Sequence, residues 1–315
     1  MLTLDEKKIR KGKPIGLPYV GSKKKISKKI IEIIKQNFGS DKTVYDVFGG
    51  GGAITAELMI NNMEVVYNDL DKTITDMFNR VLSQDREWIK TLIVSRDEFI
   101  TIKDKDTKTV DDELKLLVNS FGNNRKTYLY GKELSDIKYN LAIDILEKDD
   151  VLFGYKKTET YQKYVKLYEE ELGFLGKVEN NRVLQQLSRV QQLSRLQQLE
   201  RLQQVQQVQQ VQQLQKTTNE DYHYFSDIKN SILYLDPPYE NSENGSYKSQ
   251  IYHQDFYDWA YEMSKNNIVM LSSYEVSDDR FECVYSFDKA KSTFQIKNKG
   301  KRTEKLFMVK KLRKY

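Results

Sequence analysis

A run of four glycines between a β-rich segment and a helical segment limits what this chain can fold into. Residues 43–48 are β-rich and lead into residues 49–52, which are all glycine, and residues 53–61 then have a helical pattern. Residues 64–67 again have the pattern of a strand. Glycine permits a tight turn and a close approach of the backbone to a ligand. A strand, a tight turn, a helix and a second strand in this order predict a parallel, doubly wound α/β sheet.

Further strand patterns return only in the last third of the chain, after a long helical stretch. Residues 81–180 are charged, aromatic and mostly helical in pattern. We therefore predict that residues 1–80 and 220–315 form one sheet domain and that residues 81–183 form a mainly helical insertion. The later β-rich segments lie at residues 231–235, 268–272, 281–287 and 305–310.

Residues 184–215 form a low-complexity tract in which an apolar residue recurs at every third position, from Leu184 to Leu214. Glutamine and leucine are good helix formers, so local propensity favours a helix. Because a period of three lags behind the 3.6-residue turn, the apolar stripe should wind around this helix, and a heptad coiled coil does not fit. We predict a helical extension that loops out of the fold and carries no chemistry. A role in partner binding or oligomerisation stays open.

The composition excludes several classes of protein. A single cysteine, Cys283, excludes an internal disulfide framework, and with only two histidines a dedicated zinc site is not expected. No apolar run approaches the roughly 18 residues of a membrane helix. The charged N-terminal residues lack the apolar stretch of a signal peptide. We therefore expect a cytoplasmic protein with no metal and no membrane segment.

Positive charge is concentrated near the two ends of the chain. Residues 289–315 contain eleven lysines or arginines and one acidic residue, Glu304, and residues 7–13 and 23–29 are also basic. Clusters of this kind attract a polyanion, because each phosphate contact releases counterions. Charge alone leaves a nucleic-acid partner and a solvated tail equally open.

The glycine-rich loop after the first strand is the first candidate site. Asp46 and Phe48 precede this loop, and Gly50 and Gly52 lie within it. The next strand ends in Asp69, whose carboxylate can accept hydrogen bonds from both hydroxyls of a ribose. The loop and the carboxylate together indicate a cofactor that contains a nucleoside, without identifying it.

The second candidate site is the segment Asp236-Pro237-Pro238-Tyr239, which follows an apolar strand. Two prolines cannot extend a strand ladder, so they stiffen the loop at the carboxyl end of that strand. Open α/β sheets bind their ligands at this edge. The loop presents a carboxylate, a proline carbonyl and an aromatic ring within four residues. A rigid exposed turn with a structural tyrosine is the alternative.

The order of the two sites around a long insertion resembles the amino-methyltransferases of the alpha arrangement. It is most similar to the DNA adenine methyltransferases typified by the GATC-modifying bacterial and phage enzymes. Phe48, Gly50 and Gly52 match their FxGxG motif, and Asp236 to Tyr239 match their DPPY motif. Further resemblances cover the aromatic-x-Gly-x-Lys motif (residues 19–23), the ribose-binding acid (68–69), the recognition segment (120–124 and 128–131) and two C-terminal strand motifs (272–275 and 303–306).

The resemblance implies a methyltransferase that binds S-adenosylmethionine and double-stranded DNA and methylates the N6 amine of a flipped adenine. Asp236, Pro237, Pro238 and Tyr239 would act on the base. The cofactor would contact Tyr19, Lys23, Asp46, Phe48, Gly50, Gly52, Asp69 and Asp236. Tyr19 stands where the GATC-modifying members usually have tryptophan.

DNA recognition is expected in the insertion, where Asn123, Asn124 and Arg125 either read base edges and phosphates or form an ordinary polar turn. Two other functions stay open: methylation of RNA or of a protein amide, and nucleic-acid binding on a methyltransferase scaffold without catalysis. Asp236 argues against a protein amide as the substrate, because glutamine-modifying relatives prefer asparagine at that position. The recognised DNA sequence, with GATC as the first expectation, the oligomeric state and membership in a restriction system are open as well.

Overall fold

The polypeptide divides into two compact units, which we name the sheet unit and the helical unit. The computed structural model describes residues 1–19, 21–173, 190–207, 214–240, 251–287 and 303–310. The sheet unit comprises Met1–Gly16, Gly21–Phe78 and Val205–Tyr315, and the helical unit comprises Leu17–Val20 and Asn79–Gln204. Most of the basic C-terminal segment, and residues 184–189 and 208–213 of the tract, lie outside the described residues.

Within the described residues, the sheet unit contains a seven-stranded sheet of order β3-β2-β1-β4-β5-β7-β6. Strands β3, β2, β1, β4 and β5 run parallel to one another, whereas β7 is antiparallel to both β5 and β6. The strands are β1 (Val44–Asp46), β2 (Val65–Asn68), β3 (Leu214–Thr218), β4 (Ile232–Leu235), β5 (Ile268–Ser273), β6 (Phe281–Ser286) and β7 (Lys305–Val309). The predicted doubly wound α/β fold is confirmed.

Strand order reverses between β1 and β4, and this reversal decides where a ligand can bind. From β1 the chain continues outward to β2, whereas from β4 it continues in the opposite direction to β5. Loops that leave the two strands therefore diverge and open a crevice at their carboxyl ends. All four residues of β4 are buried, as expected for a central strand covered on both faces.

One strand was not predicted. β3 pairs with β2 at the edge of the sheet, although its first two residues, Leu214 and Gln215, belong to the low-complexity tract. These two residues are neither β-branched nor aromatic, so local propensity does not favour a strand. They form a strand because they pair with the open edge of β2.

Ten α-helices occur in the described part of the chain. They are α1 (Ser27–Phe38), α2 (Ala53–Ile60), α3 (Lys72–Ser83), α4 (Arg86–Lys90), α5 (Arg96–Lys103), α6 (Val110–Asn119), α7 (Lys132–Asp144), α8 (Glu159–Gly173), α9 (Gln191–Gln207) and α10 (His253–Met263). A π-helical turn, Ile145–Asp149, continues α7. In the described residues, no helix is both long and apolar enough to cross a membrane.

Helix α9 shows what the period-three tract does. Its apolar positions advance by three residues, or about 300°, so they go once around the helix in six steps. Five of these side chains, and that of Val190 directly before the helix, are buried: Val190, Leu193, Leu196, Leu199, Leu202 and Val205. The winding stripe is therefore core on every face. The helix is confirmed for these residues, but the expectation that it loops out of the fold is wrong, because the fold buries its apolar side chains.

Polar side chains of α9 are buried as well, and each has a partner in the helical unit. Gln192 donates to Asn119, and Glu200 accepts from Arg86 at 3.0 Å. Gln203 donates to a main-chain carbonyl. Buried polar groups are tolerated when they are hydrogen-bonded, so these side chains restrict how α9 can pack.

We predict that Leu199→Ala lowers the free energy of unfolding by about 2–5 kcal/mol, because it leaves a cavity around a fully buried side chain. The control is Gln204→Ala, at an exposed position of the same helix, which should change stability by less than about 0.5 kcal/mol. Urea denaturation of both variants measures the difference. Equal and small losses would show that α9 is not part of the core.

Candidate active site

The glycine-rich loop is packed so tightly against β2 and α3 that side chains cannot be accommodated. A Cβ atom on Gly49 would lie 2.4 Å from the ring of Tyr67, and one on Gly52 would lie 2.2 Å from the ring of Phe78. Gly52 also has a φ of 67°, which L-residues rarely adopt. The Gly49 N–H donates to the carbonyl of Asn68 at 2.8 Å. These contacts hold the loop backbone at the carboxyl end of β2. Gly49 belongs to the loop selected from the sequence, whereas the role of Tyr67 beside it was not predicted.

Asp69 is tied directly to this loop. Its Oδ2 accepts a hydrogen bond from the Gly50 N–H at 2.8 Å, and its Oδ1 accepts one from the Asp71 N–H at 2.8 Å. On the other side of the loop, the Tyr67 hydroxyl donates to the Gly50 carbonyl at 2.6 Å. The structure therefore places the predicted ribose-binding carboxylate beside the glycine loop in a defined orientation.

Asp46, at the end of β1, carries a buried acceptor. Its Oδ2 accepts from the N–H and the hydroxyl of Thr55, at 3.1 and 2.6 Å, whereas Oδ1 is buried without a hydrogen-bond partner among the described residues. Burial is the main cause that raises the pKa of Asp46 to about 7. A buried acceptor without a partner is costly, so this position is suited to a ligand that donates a hydrogen bond. Thr55 is a site residue that the sequence did not reveal.

These groups fit S-adenosylmethionine chemically. The nucleoside hydroxyls and the ammonium group of this cofactor are donors, and Asp69 and Asp46 are acceptors at the ends of adjacent strands. The glycine loop admits a close backbone approach there. Phe48 instead contributes to the core, since its ring packs edge-to-face on Phe256 with centroids 5.8 Å apart. A contact between Phe48 and the cofactor stays a prediction.

Asp236 follows β4, and its carboxylate is paired with Lys23. The Nζ atom of Lys23 lies 2.7 Å from Oδ1 of Asp236, and the exposed fractions of the two side chains are 11% and 16%. Burial raises the pKa of Asp236 to about 6; Lys23 opposes this rise, and Glu304 adds to it. Lys23 is thus the counter-ion of the DPPY carboxylate, and a contact between Lys23 and the cofactor stays a prediction.

Tyr239 is held by the same charges. Its hydroxyl donates to Oε1 of Glu304 at 2.5 Å and accepts from Lys23 Nζ at 2.5 Å. Its ring makes an edge contact with Tyr274, with centroids 4.6 Å apart. Burial and the nearby carboxylates hold the pKa of Tyr239 well above its usual range, so the hydroxyl stays protonated as a donor.

Glu304 belongs to this cluster, although sequence analysis had not selected it as a site residue. Besides Tyr239, it accepts from the Ser272 hydroxyl at 3.0 Å, and Lys23 Nζ lies 3.5 Å away. Residues 303–306 had shown only a resemblance to a family motif. The antiparallel register of β5 with β7, in which Ser272 faces Leu306, brings Glu304 to the cluster.

Tyr19, Asn123, Asn124 and Arg125 belong to the helical unit, whereas Asp46, Asp69 and Asp236 belong to the sheet unit. Asn124 is exposed, and its Oδ1 accepts from the N–H groups of Lys126 and Thr127. The guanidinium of Arg125 pairs with Glu113 at 2.9 Å. In the described residues, no group of three or more potential metal ligands was found.

We predict that Lys23→Met destabilises the protein by about 3 kcal/mol at pH 8, because it leaves buried carboxylates without their cation. The loss should be smaller at pH 5. Removing Lys23 raises the pKa of Asp236, so the folded protein can take up a proton there as the pH falls. Thermal unfolding at both pH values measures the effect.

The control for this measurement is Lys29→Met, which removes an ion pair with Glu6 in which both side chains are substantially exposed. Exposed pairs contribute about 0–1 kcal/mol, so this variant should lose little at either pH. If the two variants behaved alike, the buried cluster would not depend on Lys23.

Comparison with known proteins identifies the family. No curated protein sequence matches the chain. A solved structure, the rRNA methyltransferase aviRa from Streptomyces viridochromogenes, matches with 10% identity over 90% of this chain and 84% of that chain. Its TM-score is 0.36, too low to support any argument. The profile of the D12 class of N6 adenine-specific DNA methyltransferases matches residues 19–305. The chain, with its glycine loop and DPPY loop at the ends of β1 and β4, therefore belongs to the D12 class of N6 adenine-specific DNA methyltransferases.

Proposed function

We propose that this DNA adenine methyltransferase acts on an adenine that is flipped out of duplex DNA, within a GATC-type sequence and in the cytoplasm. The observation that carries the flipped-base proposal is the position of Asp236. This carboxylate is fixed by Lys23 beside Pro237, at the carboxyl end of β4 where the strand order reverses. Inside a duplex the amine faces its paired base, so an enzyme with a buried acceptor must extrude the nucleotide.

The exocyclic amine of adenine is a weak nucleophile, because its lone pair is delocalised into the ring. Two acceptors, the Asp236 carboxylate and the Pro237 carbonyl, would each receive one N–H and direct the lone pair away from the ring plane. Lys23 and Tyr239 both contact Oδ1 of Asp236, at 2.7 and 3.5 Å, and so fix the orientation of the carboxylate. Acceptors held in place before the reaction need no reorganisation in the transition state.

The cofactor S-adenosylmethionine supplies an electrophilic methyl group on a sulfonium when it is bound. Asp69 and Asp46 would orient it through its donor groups. Once the amine is methylated it must lose a proton, and Asp236 is the candidate acceptor. Because burial raises the pKa of Asp236 to about 6, this carboxylate is a better proton acceptor than an exposed aspartate.

Selection of the DNA sequence is assigned to the helical unit. Asn123, Asn124 and Arg125 lie on a loop that includes exposed residues, and amide and guanidinium groups are suited to base edges and phosphates. The resemblance of residues 120–124 and 128–131 to the recognition segment of the phage-type enzymes supports GATC as the first sequence to test.

Incubation with labelled S-adenosylmethionine and unmethylated duplex DNA tests this proposal. We predict label in N6-methyladenine, and at least about a hundredfold slower transfer by Asp236→Ala, because one electrostatic contact to the reacting group is lost. Asp227→Ala, at an exposed acidic position, is the control and should transfer at the wild-type rate. Sequencing of the product maps the methylated positions.

Each result has a separate meaning. Transfer to adenines outside GATC would replace only the sequence preference. Transfer to single-stranded DNA but not to a duplex would contradict base flipping. Cofactor binding without transfer to any DNA would overturn the proposal and direct the search to RNA or protein amides.

We also predict a pH dependence. Only the ionised form of Asp236 accepts from the amine, so the single-turnover rate should fall about tenfold per pH unit below pH 6 and level off above pH 7. Rapid-quench measurements from pH 5 to pH 8, with protein and DNA in excess over cofactor, determine the profile. A flat profile would show that protonation of Asp236 does not limit the reaction.

A further inference from the structure

The loop proposed to read DNA, residues 120–128, is closed at its base. Ser120 and Tyr128 form an antiparallel bridge, and the Phe121 N–H donates to the carbonyl of Thr127 at 2.7 Å. The side chain of Phe121 is 65% exposed. The loop therefore projects exposed residues from a narrow, hydrogen-bonded base.

The backbone of this loop is strained. Asn123 and Arg125 both have a φ of 59°, in the left-handed region that costs free energy for residues other than glycine. Such conformations persist only where the surroundings impose them. The Arg125 N–H donates to the Ser120 hydroxyl at 2.9 Å, so the strained segment depends on the position of Ser120.

Arg195, in the period-three tract, holds Ser120 in place through its main-chain carbonyl. Its Nη1 donates to the carbonyls of Val118 and Ser120 at 2.7 and 2.6 Å, and lies 3.3 Å from that of Leu117. These carbonyls lie at the C-terminal end of α6, where helical partners are missing and a cation is favourable. Arg195 is buried, with 7% of its surface exposed.

Gln192 holds the other side of the base from the same turn of α9. Its Nε2 donates to Oδ1 of Asn119 at 2.6 Å and lies 3.4 Å from the Tyr128 hydroxyl. Residues three apart share one face of a helix, so Gln192 and Arg195 act together. Both ends of the loop are thus connected to a single turn of the low-complexity tract.

We propose that Arg195 and Gln192 are positioning residues for DNA sequence selection, because they fix the base of the 120–128 loop. This inference rests on the proposed function of that loop. The tract then has a defined role in this enzyme. Its Gln192 and Arg195 side chains set the geometry of the 120–128 loop, which is not itself part of the tract.

Arg195→Gln and Arg201→Gln form a matched pair that tests this role. Arg201 is the same residue type six positions further along α9, and its guanidinium lies over the ring of Phe153 at 5.0 Å. Steady-state methylation is measured with duplexes that contain the preferred site or a site altered at one base pair. Thermal unfolding and cofactor affinity are measured on each variant.

We expect Arg195→Gln to raise the KM for DNA and to lower the ratio of kcat/KM for preferred over altered sites by about tenfold, the size of one lost base contact. Its kcat at saturating DNA and its cofactor affinity should stay within about twofold of wild type, since Asp236 and Lys23 are untouched. Arg201→Gln should retain the wild-type ratio.

A folded Arg195→Gln variant with the wild-type ratio would overturn the inference. If Arg195→Gln does not fold, Gln192→Leu takes its place, because this change removes only the hydrogen bonds of a neutral side chain. The ratio of kcat/KM for preferred over altered sites is then measured on Gln192→Leu, and a wild-type ratio would overturn the inference. Asn124→Ala separates this failure from failure of the proposed function. An unchanged ratio in Asn124→Ala would show that the loop does not read DNA and would overturn both, whereas a changed ratio there with wild-type behaviour of Arg195→Gln would overturn only the positioning role.

Discussion

The parallel pairing of β1 with β4 is the interaction on which the candidate active site depends. Val44, Tyr45 and Asp46 lie opposite Ile232, Leu233 and Tyr234, and the Val47 N–H donates to the carbonyl of Tyr234 at 3.2 Å. Two segments that are far apart in sequence thereby end at the same edge of the sheet. The glycine loop and the DPPY loop then leave neighbouring strands in a crevice that both line.

The crevice contains several carboxylates whose burial is costly. Burial raises the pKa of both Asp46 and Asp236, because the ionised carboxylate loses its hydration in the folded protein. Ionisation of these groups at neutral pH therefore costs folding free energy. The contribution of these two carboxyl groups to the free energy of unfolding is therefore greatest at low pH, and it is lost as the pH rises through about 6 to 7. Lys23 offsets part of this cost at Asp236, and Ser272 and Tyr239 donate to Glu304. The buried carboxylates lower the stability of the fold, and they provide hydrogen-bond acceptors for donor groups of a bound ligand.

The low-complexity tract shows how a repetitive sequence can specify one structure. Its apolar side chains point in all directions around α9 and are buried from Leu193 to Val205, so the helix has no single preferred apolar side. Specificity comes instead from buried polar side chains. Glu200 pairs with Arg86, Gln192 with Asn119, and Arg195 with carbonyls at the end of α6. An unsatisfied buried polar group is costly, so a shift in register would leave several of these groups without partners.

The parts of this protein that depend on local pattern can be predicted from its amino-acid sequence. Periodicity and glycine placement predict six of the seven strands in the described residues and the α/β sheet. Gly52, Asp69 and Asp236 can be selected as candidate site residues from sequence because their motifs are short and continuous. Tertiary structure alone decided the rest. Glu304 joins the site through the register of β7, Thr55 through its contact with Asp46, and the tract is core because the fold buries its apolar side chains. These assignments depend on contacts between distant segments, and packing that brings distant residues together leaves no local pattern in the sequence.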